Sequence, residues 1–183
     1  MQLLETPIAG VFEVLSEPRS DHRGAFARLF CQDELRGAHQ GRPIAQINHS
    51  RTSTVGAIRG LHFQFPPKAE AKWVRCLRGR VFDVAVDLRR GSPTFLASHS
   101  VELDPVRMNA ILIPEGCAHG FQVLEPDSEL LYLHSESYAP AHEGGLRFDD
   151  PRLSIRWPLP VTDLSERDRT HPLIDASFQG IAL

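Results

Sequence analysis

The stretch GAIRGLHFQFPPKAEAKW, residues 56–73, sets Arg59, His62 and Lys72 in a run that is otherwise mostly apolar. Each side chain suits a different task. The imidazole of His62 titrates near working pH, so it can take up and release a proton. The ammonium of Lys72 is a compact charge that can face a developing anion. The guanidinium of Arg59 has the fork geometry that grips phosphate oxygens. Further on, IPEGCAHGF adds His119, five residues after Pro114 and three after Gly116. Two histidines could be the start of a metal site, but a first-row metal needs three or four converging nitrogen, sulfur or carboxylate ligands. Gln64, not a second histidine, stands two positions after His62, and Glu70 lies at the wrong offset to complete the set. His62 and His119 alone make a poor ligand pair. The expectation is therefore chemistry without a metal or any other cofactor.

These side chains need a scaffold. The chain has 183 residues, enough for one domain over residues 1–183 with a sizeable core. A net charge of −3 and a pI near 6.3 leave no basic footprint for nucleic acid, so any arginine-lined site is local. No apolar run reaches the ~18 residues of a membrane helix. The first residues, MQLLETPIAGVFEVL, lack the basic region and apolar core of a signal peptide. Cys31, Cys76 and Cys117 are odd in number and widely spaced, which suits reduced thiols in a cytoplasmic protein. Apolar residues recur mostly with period two. In RVFDVAVDL, Phe82, Val84, Val86 and Leu88 share one face while Asp83 and Asp87 share the other. KWVRCL precedes it, with Arg78-Gly79 as the hairpin turn. Other strand candidates are GVFEVL, AFARLF, IAQINHS, AIRGLHF, FLASHSVEL, AILIP, GFQVLE and ELLYLHS. Only QDELRGA and LSERDR read as helical. Many short strands with little helix predict an antiparallel sandwich or barrel, and the long crossover helices of a parallel sheet are missing.

The hairpin-rich pattern and PEGCAH together resemble the cupin jelly roll, with its first metal-binding motif broken at Gln64. RGLHFQ, GRVFDVAVDLRRGSPTF, IPEGCAHGF, YAPAHEGGLRFDDP and LSERD, in that order, resemble the dTDP-4-dehydrorhamnose 3,5-epimerase family of dTDP-sugar epimerases. The resemblance runs from DHRGAF near residue 21 to LSERD near residue 168. It implies an all-β fold, a cupin-type double-stranded β-helix with short peripheral helices. It also implies a metal-independent isomerase, usually a homodimer, acting on a dTDP-4-keto-6-deoxyhexose in deoxysugar (rhamnose-type) biosynthesis. Epimerisation beside a ketone requires a base on one face, an acid on the other and a positive group at the enolate oxygen. His62 fits the base, Lys72 the oxyanion group and Tyr132 the acid. Asp168 matches the family carboxylate that hydrogen-bonds the histidine and fixes its tautomer. For substrate binding, Arg59 and Arg23 match positions near the diphosphate, with Phe26 beside the latter. Gln46, Ile47 and Asn48 match a nucleotide-binding segment, and His119 matches the sugar pocket. Glu143 and Arg167 match further contacts, and Tyr138 an aromatic that stacks on thymine.

Two positions depart from the family pattern. Arg28 stands where a glutamate usually contacts the nucleotide, so it either turns to Asp33 or Glu34 or approaches the diphosphate. Leu133 and His134 replace the Lys-Thr that often follows the tyrosine. His22, His49, His99, His134, His142 and His171 read as surface or packing residues, with His49 nearest a binding segment. Asp83 is a weaker candidate than Asp168 for contact with His62 or His119. Arg59 and His62 fall on opposite faces of a regular strand, so a bulge or bend at Gly60 is what would bring both into one pocket. A metal-dependent cupin oxygenase or isomerase, a C3-only or C5-only epimerase, and a non-catalytic sugar-nucleotide binding module remain as alternatives. In a dimer, the N-terminal strand region would help build the partner's pocket.

Overall fold

The protein, a computed structural model, is described over residues 1–39 and 41–183. The period-two segments fold as strands. In chain order these are β1 (Gln2–Glu5), β2 (Phe12–Leu15), β3 (Arg19–Asp21), β4 (Gly24–Phe26), β5 (Gln46–Thr52), β6 (Ile58–Gln64), β7 (Lys72–Arg78), β8 (Val81–Asp87), β9 (Ser98–Leu103), β10 (Asn109–Ile113), β11 (Cys117–Val123), β12 (Ser128–His134) and β13 (Glu143–Gly145). Two short helices, α1 (Gln32–Leu35) and α2 (Glu166–Thr170), and a 3-10 turn at Pro140–His142 accompany them. One sheet runs β1-β2-β10-β7-β12-β5 and the other β13-β6-β11-β8-β9, while β3 and β4 pair only with each other. Every pairing between these strands is antiparallel. The two large sheets pack as the sandwich of a jelly roll.

β8 shows how the core is divided. Phe82, Val84, Val86 and Leu88 pack with Leu61 of β6 and with Leu146, Leu153 and Ile174 from the later part of the chain. Val81 and Ala85 point the other way and join Val74, Ile111, Phe121 and Leu130 between the sheets. Asp83 and Asp87 lie on that inner face and are fully buried. The alternation is as expected, but the acidic face turns into the sandwich. Buried carboxylates need partners. Asp87 accepts from Arg89, Ser92 and Thr94 at 2.5–2.9 Å, and Asp83 faces His119. A third cluster, Val14, Leu35, Trp73, Ala110, Leu112 and Leu133, ties α1 to the first sheet.

Three expectations change in detail. AFARLF is not one strand: pairing stops at Phe26, and Arg28 turns to Glu34 of α1. The helix in QDELRGA covers only Gln32–Leu35. The strand in FLASHSVEL begins at Ser98, because Thr94 to Ala97 form a hydrogen-bonded turn. The Arg78-Gly79 hairpin forms as expected, with Gly79 at φ +73°.

At Gly60 the ladder between β6 and β11 slips. His62 pairs with His119, but Arg59 pairs with Phe121, so Gly60 and Leu61 together face Gly120. Gly60 has φ +126°, and a Cβ there would lie 2.5 Å from the Gly120 Cα. Only glycine meets both conditions. The bulge lets Arg59 and His62 line the same cavity.

Candidate active site

A cavity of about 870 Å³ opens between the sheets. β6 and β11 supply one wall, β5, β7 and β12 the other, and α2, Tyr138 and Glu143 form the rim. His62 projects from β6, and its Nε2 lies 2.7 Å from Asp168 Oδ1. Asp168 sits in α2, where the N-cap hydroxyl of Ser165 accepts its backbone N–H at 3.1 Å. Its other oxygen accepts the Gly60 N–H at 3.1 Å, so the bulge also anchors the carboxylate. Burial alone would raise the Asp168 pKa. The hydrogen bond and charge of His62, the Gly60 N–H and Arg167 outweigh burial and hold it at about 2. A carboxylate only accepts, so Nε2 carries the hydrogen and Nδ1 keeps the free lone pair. Nδ1 is then the ring nitrogen able to accept a proton.

His119 lies opposite His62 in the ladder and has its own carboxylate, with Nε2 at 2.9 and 3.0 Å from the Asp83 oxygens. Lys72, on β7, is 6% exposed and reaches the His62 carbonyl at 3.0 Å. Tyr132, on β12, stands edge-on to His119 with ring centroids 6.1 Å apart. Its hydroxyl lies 3.1 Å from Ser50 Oγ. Burial pushes the phenol well above its ordinary pKa, against a smaller opposite effect from Ser50. Tyr132 is therefore a neutral, proton-carrying group at working pH.

The mouth is a chain of polar contacts. Gln46 Nε2 donates to Asn48 Oδ1 at 3.1 Å, and Gln46 Oε1 accepts the Tyr138 N–H at 2.9 Å. The Tyr138 hydroxyl donates to Glu143 at 2.9 Å, and Arg167 pairs with the same carboxylate at 3.1 Å. Ile47 and Arg59 also line the cavity. Arg23 and Phe26 are not brought there. Arg23 caps the β3–β4 hairpin and pairs with Asp21 at 2.6 Å, and Phe26 is 77% exposed.

Sequence reasoning passed over Ser50, Glu70, Phe121 and His134, which also line the cavity. Side-chain alternation carries the signal for two of them. Ser50 has the parity of Gln46 and Asn48 on β5, and His134 that of Tyr132 on β12. His134 is therefore a cavity residue. His171 is no free surface residue either: its ring lies edge-on to His62 at 5.7 Å. His49 reaches the cavity rim and lies 3.2 Å from Glu129. Among the described residues, one histidine–carboxylate group is close enough to hold a metal: His62, Asp168 and His171, with ligand atoms within 4.8 Å of one another. The Arg167 guanidinium lies 3.3 Å from His62 Nε2 and puts a positive charge at that place, which fits a metal ion poorly.

The His62–Asp168 pair and Tyr132 thus stand on opposite sheets, with the buried Lys72 ammonium lining the same cavity. Groups so placed can take a proton from one face of a carbon and return one to the other, and on this fold they point to an epimerase of the cupin jelly-roll type. The family model for dTDP-4-dehydrorhamnose 3,5-epimerase matches residues 5–176, and the chain belongs to that family of isomerases. It is 43% identical to the dTDP-4-dehydrorhamnose 3-epimerase of Streptomyces niveus over 92% of this chain and 82% of that protein. It is 41% identical to the dTDP-4-dehydrorhamnose 3,5-epimerase of Sinorhizobium fredii over 91% and 89%. The fold matches the Legionella pneumophila dTDP-6-deoxy-D-glucose-3,5-epimerase, solved with dTDP-4-keto-L-rhamnose. That match has a TM-score of 0.90 at 34% identity and covers 98% of this chain and 97% of the other.

Proposed function

We propose that the protein epimerises a dTDP-4-keto-6-deoxyhexose at C3, C5 or both, in deoxysugar biosynthesis. The observation that carries this is the placement of His62–Asp168 and Tyr132 on opposite walls of one cavity, with Lys72 buried on its floor. His62 Nδ1 takes the proton from the carbon beside the C4 ketone. The electron pair moves onto the C4 oxygen, where Lys72 stabilises the enolate. The imidazolium formed is paired with Asp168. Tyr132 delivers a proton to the opposite face of the carbon and regains one by way of Ser50 and solvent. His119, held by Asp83, borders the sugar.

At the mouth, Gln46, Ile47, Asn48 and Tyr138 take the thymidine, with Glu143 and Arg167 closing the rim and Arg59 at the diphosphate. Because Arg28 is tied to Glu34, it leaves recognition of the base to those residues. The protein acts as a homodimer in the cytoplasm, and Arg23 and Phe26 serve the partner's cavity rather than their own.

The test is deuterium incorporation from D₂O into dTDP-4-keto-6-deoxyglucose, followed at C3 and C5 by NMR. Label at both positions marks a 3,5-epimerase and label at C3 alone a 3-epimerase, while no label at either position would defeat the proposal. His62→Ala is the control. General acid–base catalysis is worth ~10²–10⁴ in rate, so exchange should fall at least that far.

A further inference from the structure

We propose that Glu70 and His134 are positioning residues that aim the Lys72 ammonium at the substrate oxygen, an inference that rests on the epimerase reading above. Lys72 has three N–H donors. One goes to the His62 carbonyl at 3.0 Å and one to Glu70 Oε1 at 3.1 Å, which leaves one for the cavity. Two fixed anchors on an otherwise flexible side chain define where the third donor points. The other Glu70 oxygen accepts from His134 Nδ1 at 2.7 Å.

The three side chains are only 7%, 9% and 12% exposed for Lys72, Glu70 and His134. Strand register places His134 directly opposite Lys72 of β7 and Gln46 of β5, and its ring stacks on Tyr132 at 6.0 Å. One connected path therefore runs from the ammonium to the ring of the acid. A buried ammonium needs an anion beside it, and Glu70 supplies that anion. Burial would raise its pKa, but the His134 hydrogen bond and the Lys72 charge prevail and keep it below the ordinary value. The charged groups that act on this carboxylate are Lys72 on β7, His134 on β12 and, just beyond β12, Glu136. Both Glu70 oxygens are already occupied, so it works through Lys72 and not on the substrate.

The experiment compares wild type, E70Q, H134L and H134Q in kcat and KM with dTDP-4-keto-6-deoxyglucose, and in dTDP affinity by calorimetry. Groups hydrogen-bonded behind a working residue typically cost about 10–100-fold when removed, and kcat of E70Q and H134L should fall on that scale. dTDP affinity of E70Q should stay at the wild-type value, because Gln46, Asn48 and Tyr138 keep their contacts, whereas H134L also removes the His134 Nε2 contact with Asn48 at 3.4 Å. H134Q should recover much of the rate, because its amide can still donate to Glu70. Wild-type kcat in E70Q would overturn the proposal. So would equal losses of kcat and dTDP affinity in E70Q, the mark of a merely structural residue. If E70Q does not fold, kcat of H134L set against H134Q decides: equal losses in the two would overturn the proposal. Absence of exchange in the wild type would instead remove the epimerase reading on which the proposal rests.

Discussion

In the proposed reaction His62 can serve as the base in only one tautomer, and the Asp168 carboxylate selects it. Replacing Asp168 by Asn leaves the shape but offers Nε2 a donor amide, which favours the wrong tautomer. D168N should keep the fold and lose ~10²–10⁴ in exchange rate, measured by deuterium uptake with circular dichroism as the fold control. The pH dependence follows from the same carboxylate. Its folded pKa is depressed to about 2, so its stabilising contribution is complete above the ordinary carboxylate pKa and is lost only as pH falls through about 2. The His62–Asp168 pair should therefore hold through mild acid. Tyr132→Phe should separate two events: label still enters, because proton removal does not need the phenol, but the configuration is retained. Equal loss of exchange and inversion would assign Tyr132 a structural part. Residue type and spacing singled out His62 and Lys72, but the roles expected of them came from the resemblance to a family. The pairing of His62 with Asp168 spans 106 positions, and no local pattern carries it; only the resemblance to a family pointed to it.

At the scale of elements, the β6 bulge does two jobs. It turns Arg59 and His62 into one cavity, and it aims the Gly60 N–H at Asp168. Gly60→Ala forces a Cβ to within 2.5 Å of the Gly120 Cα at φ +126°. Backbone strain of this kind costs about 1–3 kcal/mol before the steric contact is counted. The variant should show a lowered Tm and a loss of exchange out of proportion to its remaining folded fraction. A variant with wild-type Tm would mean that β6 can straighten there. The bulge was legible, since a strand that must turn residues of both parities into one pocket has to slip its register, and a glycine marks where it can. AFARLF misled for the opposite reason: alternation predicts a strand only where a partner offers hydrogen bonds, and beyond Phe26 the chain pairs with nothing. β13, Glu143–Gly145, has no apolar period to read and is a strand only because β6 has an open edge.

For the whole molecule, the β3–β4 hairpin is the part least accounted for by the single chain. It joins neither large sheet, Phe26 is 77% exposed, and the Arg23 side chain is 79% exposed. An aromatic and an arginine held out in this way suit a neighbour's cavity, and we expect a dimer by light scattering at micromolar concentration. Phe26→Ala with Arg23→Ala should weaken dTDP binding without lowering Tm, and a fully active monomer would refute the shared site. The antiparallel sandwich was legible because each sheet buries period-two residues, and the jelly roll came from the resemblance. Alternation alone does not say which face of β8 is wet, yet the contact expected of Asp83 with His62 or His119 forms, to His119 at 2.9 Å. The order in which the cavity is finished along the chain also matters during synthesis. β5, β7 and β12 leave the ribosome before α2 exists. Ile174 and Ile181, which complete the second core cluster, come later still. A polypeptide stopped short of residue 166 lacks both the carboxylate beside His62 and part of that core, so premature termination late in the message yields an unfinished fold instead of a slower enzyme.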